Sequence, residues 1–194
     1  ADLPPAAPTT LAADLAGPAL EDILLSWRPS SDDGGGAGNV VAYEMWSGRT
    51  HDSTGASYTL LATLPPGTAS YLDAGAGVGD TSNRFYQLRV VNARNQTASA
   101  AEQAGKFTRF VGAGDALLSV PLAQTDWNLT AVLQTIPWTR ARTYVNDGGP
   151  GVWLSNVVGK PGATLTALDL RTAVWVNVSA DAWWSVAGLV PAST

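Results

Sequence analysis

The chain is a succession of short stretches in which hydrophobic and polar residues alternate, and this two-residue period predicts β-strands. Clusters of Gly, Pro, Asn and Asp separate the stretches and favour turns. The predicted strands cover residues 23–27, 41–46, 58–64, 70–72, 85–91, 106–111, 117–122, 173–178 and 183–186. A helical period occurs only over residues 128–136, where Asp126 is placed to cap the helix. The sequence therefore predicts an all-β protein with one short helix.

The same alternation predicts which side chains point into the core, because successive strand residues face opposite sides of a sheet. The side chains predicted to point inward are Ile23, Leu25 and Trp27, then Val41, Tyr43 and Met45, then Tyr86, Leu88 and Val90. In the helix, the residues that share one face are Leu129, Val132, Leu133 and Ile136. We expect these positions to form the hydrophobic interior.

The first half of the chain has the strand and turn spacing of a β-sandwich. Its motifs are Pro4-Pro5, Trp27 at the end of a strand, the loop at residues 32–35, VAYEM at residues 41–45 and YQLRVVN at residues 86–92. Together, in this order, they resemble the fibronectin type III domain. The resemblance implies a sandwich over residues 1–111 and a corner tyrosine, Tyr86, whose hydroxyl binds the backbone.

The second half, residues 112–194, holds six of the eight Trp residues. It is similar to a small β-rich module found at the C-terminal ends of secreted and surface proteins of archaea and bacteria. The matching segments are residues 119–122, 132–133, 143–144 with Trp153, 174–176 and 186–188. Ala173 and Val174 depart from the usual Gly of that module. The resemblance implies a second, smaller β domain without catalytic residues. Because the link at residues 112–114 is short, we expect this domain to pack on the first near Phe110 and Val111.

Composition narrows the classes of function. A formal net charge of -5 and a pI near 4.6 argue against nucleic-acid binding, which requires a basic surface. The absence of Cys excludes disulfides and thiolate chemistry, and a single His excludes a multi-His zinc site. We therefore predict that the protein is not an enzyme and uses no cofactor and no metal.

Hydropathy and the resemblances bear on where the protein acts. No apolar run approaches the roughly 18 residues of a membrane helix, so we expect no membrane insertion. The first residues lack the basic and apolar parts of a signal peptide, which suits a mature secreted protein or a cytoplasmic one. The family resemblances favour an extracellular or cell-surface location.

The Trp residues are the strongest candidates for a binding surface. Strand parity places Trp175 beside Asn177, and Trp183 beside Ser185, on the faces opposite to the predicted core. Such Trp residues suit stacking on carbohydrate or a protein interface, but they also suit a second core or packing on the first domain. The candidate aromatic surface comprises Trp46, Trp153, Trp175 and Trp183.

Trp46 has a specific expected partner. It falls opposite to the core side chains of its strand, and Arg89 lies on the outer face of a later strand. If the two strands are neighbours, the guanidinium can stack on the indole ring.

Other motifs carry weaker chemistry. His51 and Asp52 could act as a base and its orienting carboxylate, or form a polar loop. Asp32 and Asp33 could bind calcium, as could Asp147, although Asp-Gly pairs are also ordinary turn residues. Three Asn-X-Ser/Thr sequons make Asn95, Asn128 and Asn177 candidates for glycosylation.

The N-terminal prolines Pro4, Pro5 and Pro8 predict an extended segment, either a lead-in to the first strand or an arm that joins a neighbouring subunit. Low charge favours assembly, because charge keeps proteins apart. The sequence is thus interpreted as a non-catalytic structural or adhesive protein that associates with itself, as in a filament or array, or with other surface proteins. The alternative is a carbohydrate-binding accessory module of a secreted enzyme, with a glycan as its partner.

Overall fold

The computed structural model describes residues 3–146 and 149–192. In these residues the first eight strands are β1 (Thr9–Ala16), β2 (Asp22–Arg28), β3 (Val40–Gly48), β4 (Thr59–Leu64), β5 (Ser70–Asp73), β6 (Arg84–Asn92), β7 (Thr97–Ser99) and β8 (Ala104–Val111). They are followed by β9 (Gly114–Ser119), α1 (Leu129–Val132), β10 (Trp138–Val145), β11 (Val152–Val157), β12 (Ala173–Val178) and β13 (Ala182–Leu189). The predicted all-β fold with one short helix is confirmed. No helix in the described part of the chain is long and apolar enough to cross a membrane.

The N-terminal half folds as a two-sheet sandwich. Strands β1, β2 and β5 form one sheet, while β4, β3, β6 and β8 follow one another in the other, where β7 also pairs with β6. Side chains from the two facing sheets fill the first core between them. Its largest fully buried members are Leu11, Ile23, Leu25, Tyr43, Met45, Tyr86 and Leu88. The strand order is that of a fibronectin type III sandwich.

Strand parity predicted the core correctly except at one position. Eight of the nine strand residues expected to face inward are buried, but Val41 is 46 % exposed. The pairing of β3 with β6 shifts register between Val40 and Ala42. This irregularity interrupts the alternation, so the inward side chains of β3 begin at Tyr43.

Tyr86 occupies the corner position that the resemblance implies, but its hydroxyl bond differs from the expected one. The hydroxyl donates to the carboxylate Oδ2 of Asp73 at 2.8 Å instead of binding the backbone. Asp73 ends β5 and lies beside Arg84, whose Nη1 is 3.5 Å from the same oxygen. Burial, together with this carboxylate, raises the pKa of Tyr86 well above its usual range.

The C-terminal half contributes a second sheet and a second core. Its strands follow the order β11, β10, β12, β9. One face of this sheet, α1 and the loops around it enclose the second core. The fully buried aliphatic residues of this core include Leu118, Leu129, Val132, Leu133, Val174 and Val176.

The two halves share one extended β-ladder. Strand β8 is followed almost directly by β9, and β12 by β13, while β13 pairs with β8 from Ala182↔Val111 to Leu189↔Ala104. The last strand of the chain thereby joins the larger sheet of the first sandwich. The division into residues 1–111 and 112–194 stays a prediction, but the two segments contribute to a common sheet.

The helix is shorter than the helical period predicts. It ends at Val132, although Leu133 and Ile136 are buried in the same core as expected. Asp126 does not cap it: its Oδ1 accepts bonds from the N–H and the side-chain amide of Asn128. Asn128, the actual N-cap, makes no side-chain capping bond. The segment is fixed by packing, since one isolated helical turn has little stability of its own.

The proline-rich N-terminal segment lies against its own sandwich. The N–H of Ala6 donates to Asp32 Oδ2 at 2.8 Å, and Pro5 and Pro8 are buried. The carbonyl oxygen of Leu3 accepts from the side-chain amide of Asn92. These contacts agree with a lead-in to β1, and the alternative of an arm that joins a neighbouring subunit stays a prediction.

Candidate functional site

Exposed aromatic side chains concentrate on the outer face of the C-terminal sheet. Trp175 of β12 pairs with Leu117 of β9 and with Arg142 of β10. Tyr144, two residues along β10, pairs with Trp153 of β11. Because paired residues of antiparallel strands lie on the same face, all five side chains share one surface. We call this surface, with Leu117, Arg142, Tyr144, Trp153 and Trp175, the outer face.

The side chains of the outer face are strongly exposed. Trp153 is 58 % exposed, Tyr144 52 % and Trp175 42 %. On the opposite side of the same strands, Val174 and Val176 are completely buried. The sheet therefore completes its core with one face and leaves three large aromatic residues on the other, which is typical of an interaction surface.

Two of these rings are held in a fixed arrangement. The centroids of Tyr144 and Trp153 are 5.4 Å apart, and the rings are tilted by 57°. Gly151, two residues before Trp153, leaves room for the tyrosine, since a Cβ there would overlap the Tyr144 hydroxyl. The guanidinium of Arg142 lies 5.7 Å from the centroid of the Trp153 ring. Backbone pairing and this cation–π contact orient the rings before any partner binds.

The aromatic rings border an open groove of about 740 Å³. Its polar lining includes Asn146, Asp169, Arg171 and Thr172. Asp169 Oδ1 accepts the N–H of Arg171 at 2.7 Å and the hydroxyl of Thr172 at 2.8 Å. These bonds lower the pKa of Asp169 and keep it ionised. The groove is thus lined by aromatic rings together with charged and hydroxyl-bearing side chains.

A second aromatic pair lies further along the same ladder. Trp183 of β13 is 39 % exposed, and its ring contacts that of Phe110 edge-on at a centroid distance of 5.6 Å. Ser185 lies on the same side of β13 as Trp183, as strand parity predicts, but it is buried and its hydroxyl lies 2.9 Å from that of Thr108. Only the Trp183 end of this face is open to solvent.

Trp46 stands apart from these groups. Its ring lies under Arg89, with the guanidinium carbon 4.5 Å from the centroid, which confirms the predicted stacking pair. The indole N–H donates to Glu44 Oε2 at 2.9 Å. Both polar partners occupy neighbouring positions on the outer side of the first sandwich. The binding roles predicted for Trp46, Trp153, Trp175 and Trp183 stay predictions.

The carboxylate proposed to orient His51 is engaged elsewhere. Asp52 accepts bonds from Thr54 and Ser57, which depress its pKa far below the usual range. The His51 ring packs edge-on against Phe85 at 5.6 Å. The pair therefore forms a loop and not a base with its carboxylate.

The proposed calcium ligands are likewise engaged in loop structure. Asp32 accepts the N–H groups of Ala37 and Ala6, which lower its pKa. Asp33 Oδ2 accepts the Tyr43 hydroxyl at 2.8 Å and the N–H of Gly67 at 2.7 Å. Bonds from N–H and O–H donors oppose metal binding at these oxygens. Asp147 lies outside the described residues, and residues 3–146 and 149–192 contain no cluster of three potential metal ligands.

The three sequons differ in accessibility. Asn95 is exposed in a turn with φ of 59°, and Asn128 is exposed before α1. The Asn177 amide donates to Asp115 Oδ1 at 2.9 Å, and its oxygen accepts from Thr139. The Asn177 side chain is therefore hydrogen-bonded within the folded chain, and modification of Asn95, Asn128 and Asn177 stays a prediction.

Sequence reasoning missed most of the outer face, because it did not predict β10 and β11. In β10 the outward positions carry Arg140, Arg142 and Tyr144, and the inward ones carry Ala141 and Thr143. Hydrophobicity does not alternate along such a strand. In β10 the remaining sequence signal for a strand was the alternation of long side chains with small ones.

Comparison with known proteins gives structural neighbours only. No family model and no curated protein matches the chain. A solved Fn3-like protein from Clostridium thermocellum is 22 % identical and has a TM-score of 0.37, with 50 % of this chain and 91 % of that chain covered. The FN1-FN3 domains of chicken CNTN1 are 12 % identical, with a TM-score of 0.38 and coverage of 95 % and 68 %. At these similarities the fold assignment depends on the strand order described above.

Proposed function

We propose that this chain is a non-catalytic structural or adhesive protein that associates through the outer face of its C-terminal sheet. The observation that carries the proposal is the register that places Tyr144, Trp153 and Trp175 side by side, each about half exposed. The partner is a second copy of this chain or another surface protein. An extracellular or cell-surface location is part of the same proposal.

The energetic argument concerns what association would bury. Trp, Tyr and Arg contribute most of the binding energy in typical interfaces, since they combine large apolar area with hydrogen-bonding groups. Removing apolar surface from water stabilises a complex by about 25 cal/mol per Å² before the entropic costs of association. The rings are already positioned by the sheet, so little side-chain entropy is lost on binding.

Sedimentation of the intact chain tests the proposal. We expect the sedimentation coefficient to rise with protein concentration, and the double substitution Trp153→Ala, Trp175→Ala to abolish this rise. Leu72→Ala is the matched control, because Leu72 is 48 % exposed on the other sandwich sheet. A wild-type chain that stays monomeric at high concentration, or a double variant that associates like the wild type, would contradict the proposal.

The groove favours a second candidate function, carbohydrate binding. A pyranose ring presents a C–H face that stacks on indole or phenol, and hydroxyl groups that need polar partners at its rim. Trp153 and Trp175 supply such surfaces, and Asp169 and Thr172 supply polar groups in the same groove. This candidate makes the chain an accessory module that holds a larger protein on a polysaccharide.

A further inference from the structure

We infer that the groove on the outer face binds an acidic polysaccharide, with sugar rings stacked on Trp153 and Trp175 and uronate carboxylates paired with Arg142 and Arg171. The inference rests on the second candidate function and names its class of ligand. It follows from the charged side chains at the groove, the exposed aromatic rings and the Oδ2 atom of Asp169, which can accept a hydrogen bond from a ligand.

The arginines carry the charge argument. Among the described residues, no carboxylate forms an ion pair with Arg142 or Arg171, whereas Arg140 on the same sheet lies 3.8 Å from Asp115. Arg171 lines the groove together with the carboxylate of Asp169, and Arg142 lies beside the groove, opposite Trp175 on the neighbouring strand. Guanidinium binds carboxylate through two parallel hydrogen bonds, which distinguishes an acidic sugar from a neutral one.

The aromatic surfaces set the spacing of the ligand. Trp153 and Trp175 lie on strands separated only by β10, where Trp153 is opposite Tyr144 and Trp175 is opposite Arg142, two residues away. A chain of sugar rings laid diagonally across the strands, from Trp153 over β10 to Trp175, would contact both indoles and pass beside the Arg142 guanidinium. Neighbouring strands are about 4.8 Å apart, so the two indoles lie on strands about 10 Å apart, a span suited to more than one ring.

The margin of the groove can bind sugar hydroxyls. Asp169 uses Oδ1 for the Arg171 N–H and the Thr172 hydroxyl, and no described residue donates to its Oδ2. Oδ2 is thus available to accept a hydroxyl bond from a ligand. The groove volume of about 740 Å³ falls within the roughly 300–1,000 Å³ of typical small-molecule sites. A short acidic oligosaccharide satisfies the stacking, charge and hydrogen-bonding groups together.

Titration of the intact protein with oligogalacturonate, followed by calorimetry and Trp fluorescence, tests this inference. The matched ligand is the methyl-esterified oligomer, which keeps the rings and removes the carboxylate charge. We expect wild type to bind the acidic oligomer at least about tenfold more tightly, equivalent to ~1.4 kcal/mol. Binding of the acidic form should weaken with added salt, because Arg171 is exposed to solvent and Arg142 is partly exposed.

Variants separate stacking from charge. We expect Trp175→Ala to weaken binding of both oligomers, and Arg142→Gln with Arg171→Gln to weaken binding of the acidic oligomer alone. Arg142→Lys tests the bidentate geometry and should recover only part of the loss. Arg28→Gln, an exposed arginine on β2, is the control and should bind like the wild type. Circular dichroism verifies that each variant is folded.

The following outcomes would overturn the inference. They are an absence of binding by wild type, equal affinity for acidic and esterified oligomers, and affinity that Trp175→Ala and the arginine substitutions leave unchanged. Equal loss in Arg28→Gln would mean non-specific charge attraction and would also overturn it. Self-association that depends on the outer face without any oligosaccharide binding would leave the structural function standing and reject this ligand.

Discussion

Lys106 is a charged residue held inside the first sandwich. Its side chain is fully buried, and Nζ donates to the backbone oxygens of Gly77 at 2.7 Å and of Asp80. Burial lowers the pKa of Lys106 to about 8; the nearby Arg84 and Arg49 contribute in the same direction, and the Asp80 and Asp73 carboxylates oppose them. These hydrogen bonds attach the loop after β5 to β8. The free energy of burying the Lys106 side chain depends on whether it is protonated.

The first prediction follows from this lowered pKa. The unfolded chain keeps the Lys106 proton up to a pKa near 10.5, whereas the folded chain releases it near about 8. Between these pH values the unfolded state binds more protons, so this group makes folding more favourable as pH rises. We expect the free energy of unfolding of wild type, measured in urea from pH 7 to 10, to increase relative to Lys106→Met above pH 8.

Lys160→Met is the control for this experiment, because Lys160 is exposed and its substitution removes one lysine without changing the buried site. A difference between wild type and Lys106→Met that stays constant from pH 7 to 10 would reject the argument. The burial of Lys106 could not be predicted from the sequence. Its strand carries glycine, lysine and threonine among aromatic residues, and only the loop carbonyls explain where the ammonium is bound.

Among the secondary-structure elements, strand parity was reliable wherever the register is regular. It predicted the buried positions of β2 and β6 and failed at Val41, where β3 shifts register against β6. It also predicted the outward direction of Trp175. The outer face as a whole could not be predicted, since Tyr144 and Arg142 lie on a strand without hydrophobic alternation. The hydrophobic pattern predicts single strands. A site formed by neighbours on different strands can be predicted only when the pairing of those strands is known.

Strand β13 is locked in place by a close contact at Gly188. A Cβ at this position would overlap the carbonyl oxygen of Ala123, which accepts the N–H of Leu189 at 2.9 Å. Ala123 also donates to the carbonyl oxygen of Leu189 at 2.8 Å, so the two residues form an isolated antiparallel bridge. The absence of a side chain at Gly188 allows the segment before α1 to cross the strand.

The second prediction is that Gly188→Ala destabilises the protein by about 1–3 kcal/mol, the usual cost of forcing extra volume into a packed site. The new methyl group meets backbone, which cannot rotate away as a side chain can. Urea unfolding measures the effect. Gly79→Ala is the matched control, since a Cβ at Gly79 meets nothing within 4 Å. Equal stability of the Gly188→Ala and Gly79→Ala variants would show that the bridge is not tight.

At the scale of the whole molecule, the ladder of β8 and β13 separates two cores and belongs to both. Ala104 and Ala187 face the first core, while Val111, Trp184 and Val186 face the second. The sequence predicted two β units but not their shared sheet. The pairing of β13 with β8 joins segments far apart in the chain, and hydrophobic periodicity carries no information about such partners.

Substitution of Trp184 can test whether the two cores unfold together. This residue is 1 % exposed, its ring lies 6.2 Å from that of Phe107, and its indole N–H donates to the carbonyl oxygen of Val132 at 2.9 Å. We predict that Trp184→Ala destabilises the chain by about 3–5 kcal/mol, as for other buried tryptophans. Hydrogen exchange followed by mass spectrometry should then rise in β6 and β8 of the first sandwich as well as in β10 and β12.

The neighbouring residue provides the control for this last prediction. Trp183 lies one position earlier on the same strand but is 39 % exposed, so Trp183→Ala removes an equal volume at a lower cost. Faster exchange confined to the C-terminal sheet in Trp184→Ala would mean that the two units unfold independently. Faster exchange in both sheets would mean that β13 joins them into one cooperative structure, because local openings then require breaking the common ladder. In that case the outer face would be presented by a rigid two-core body.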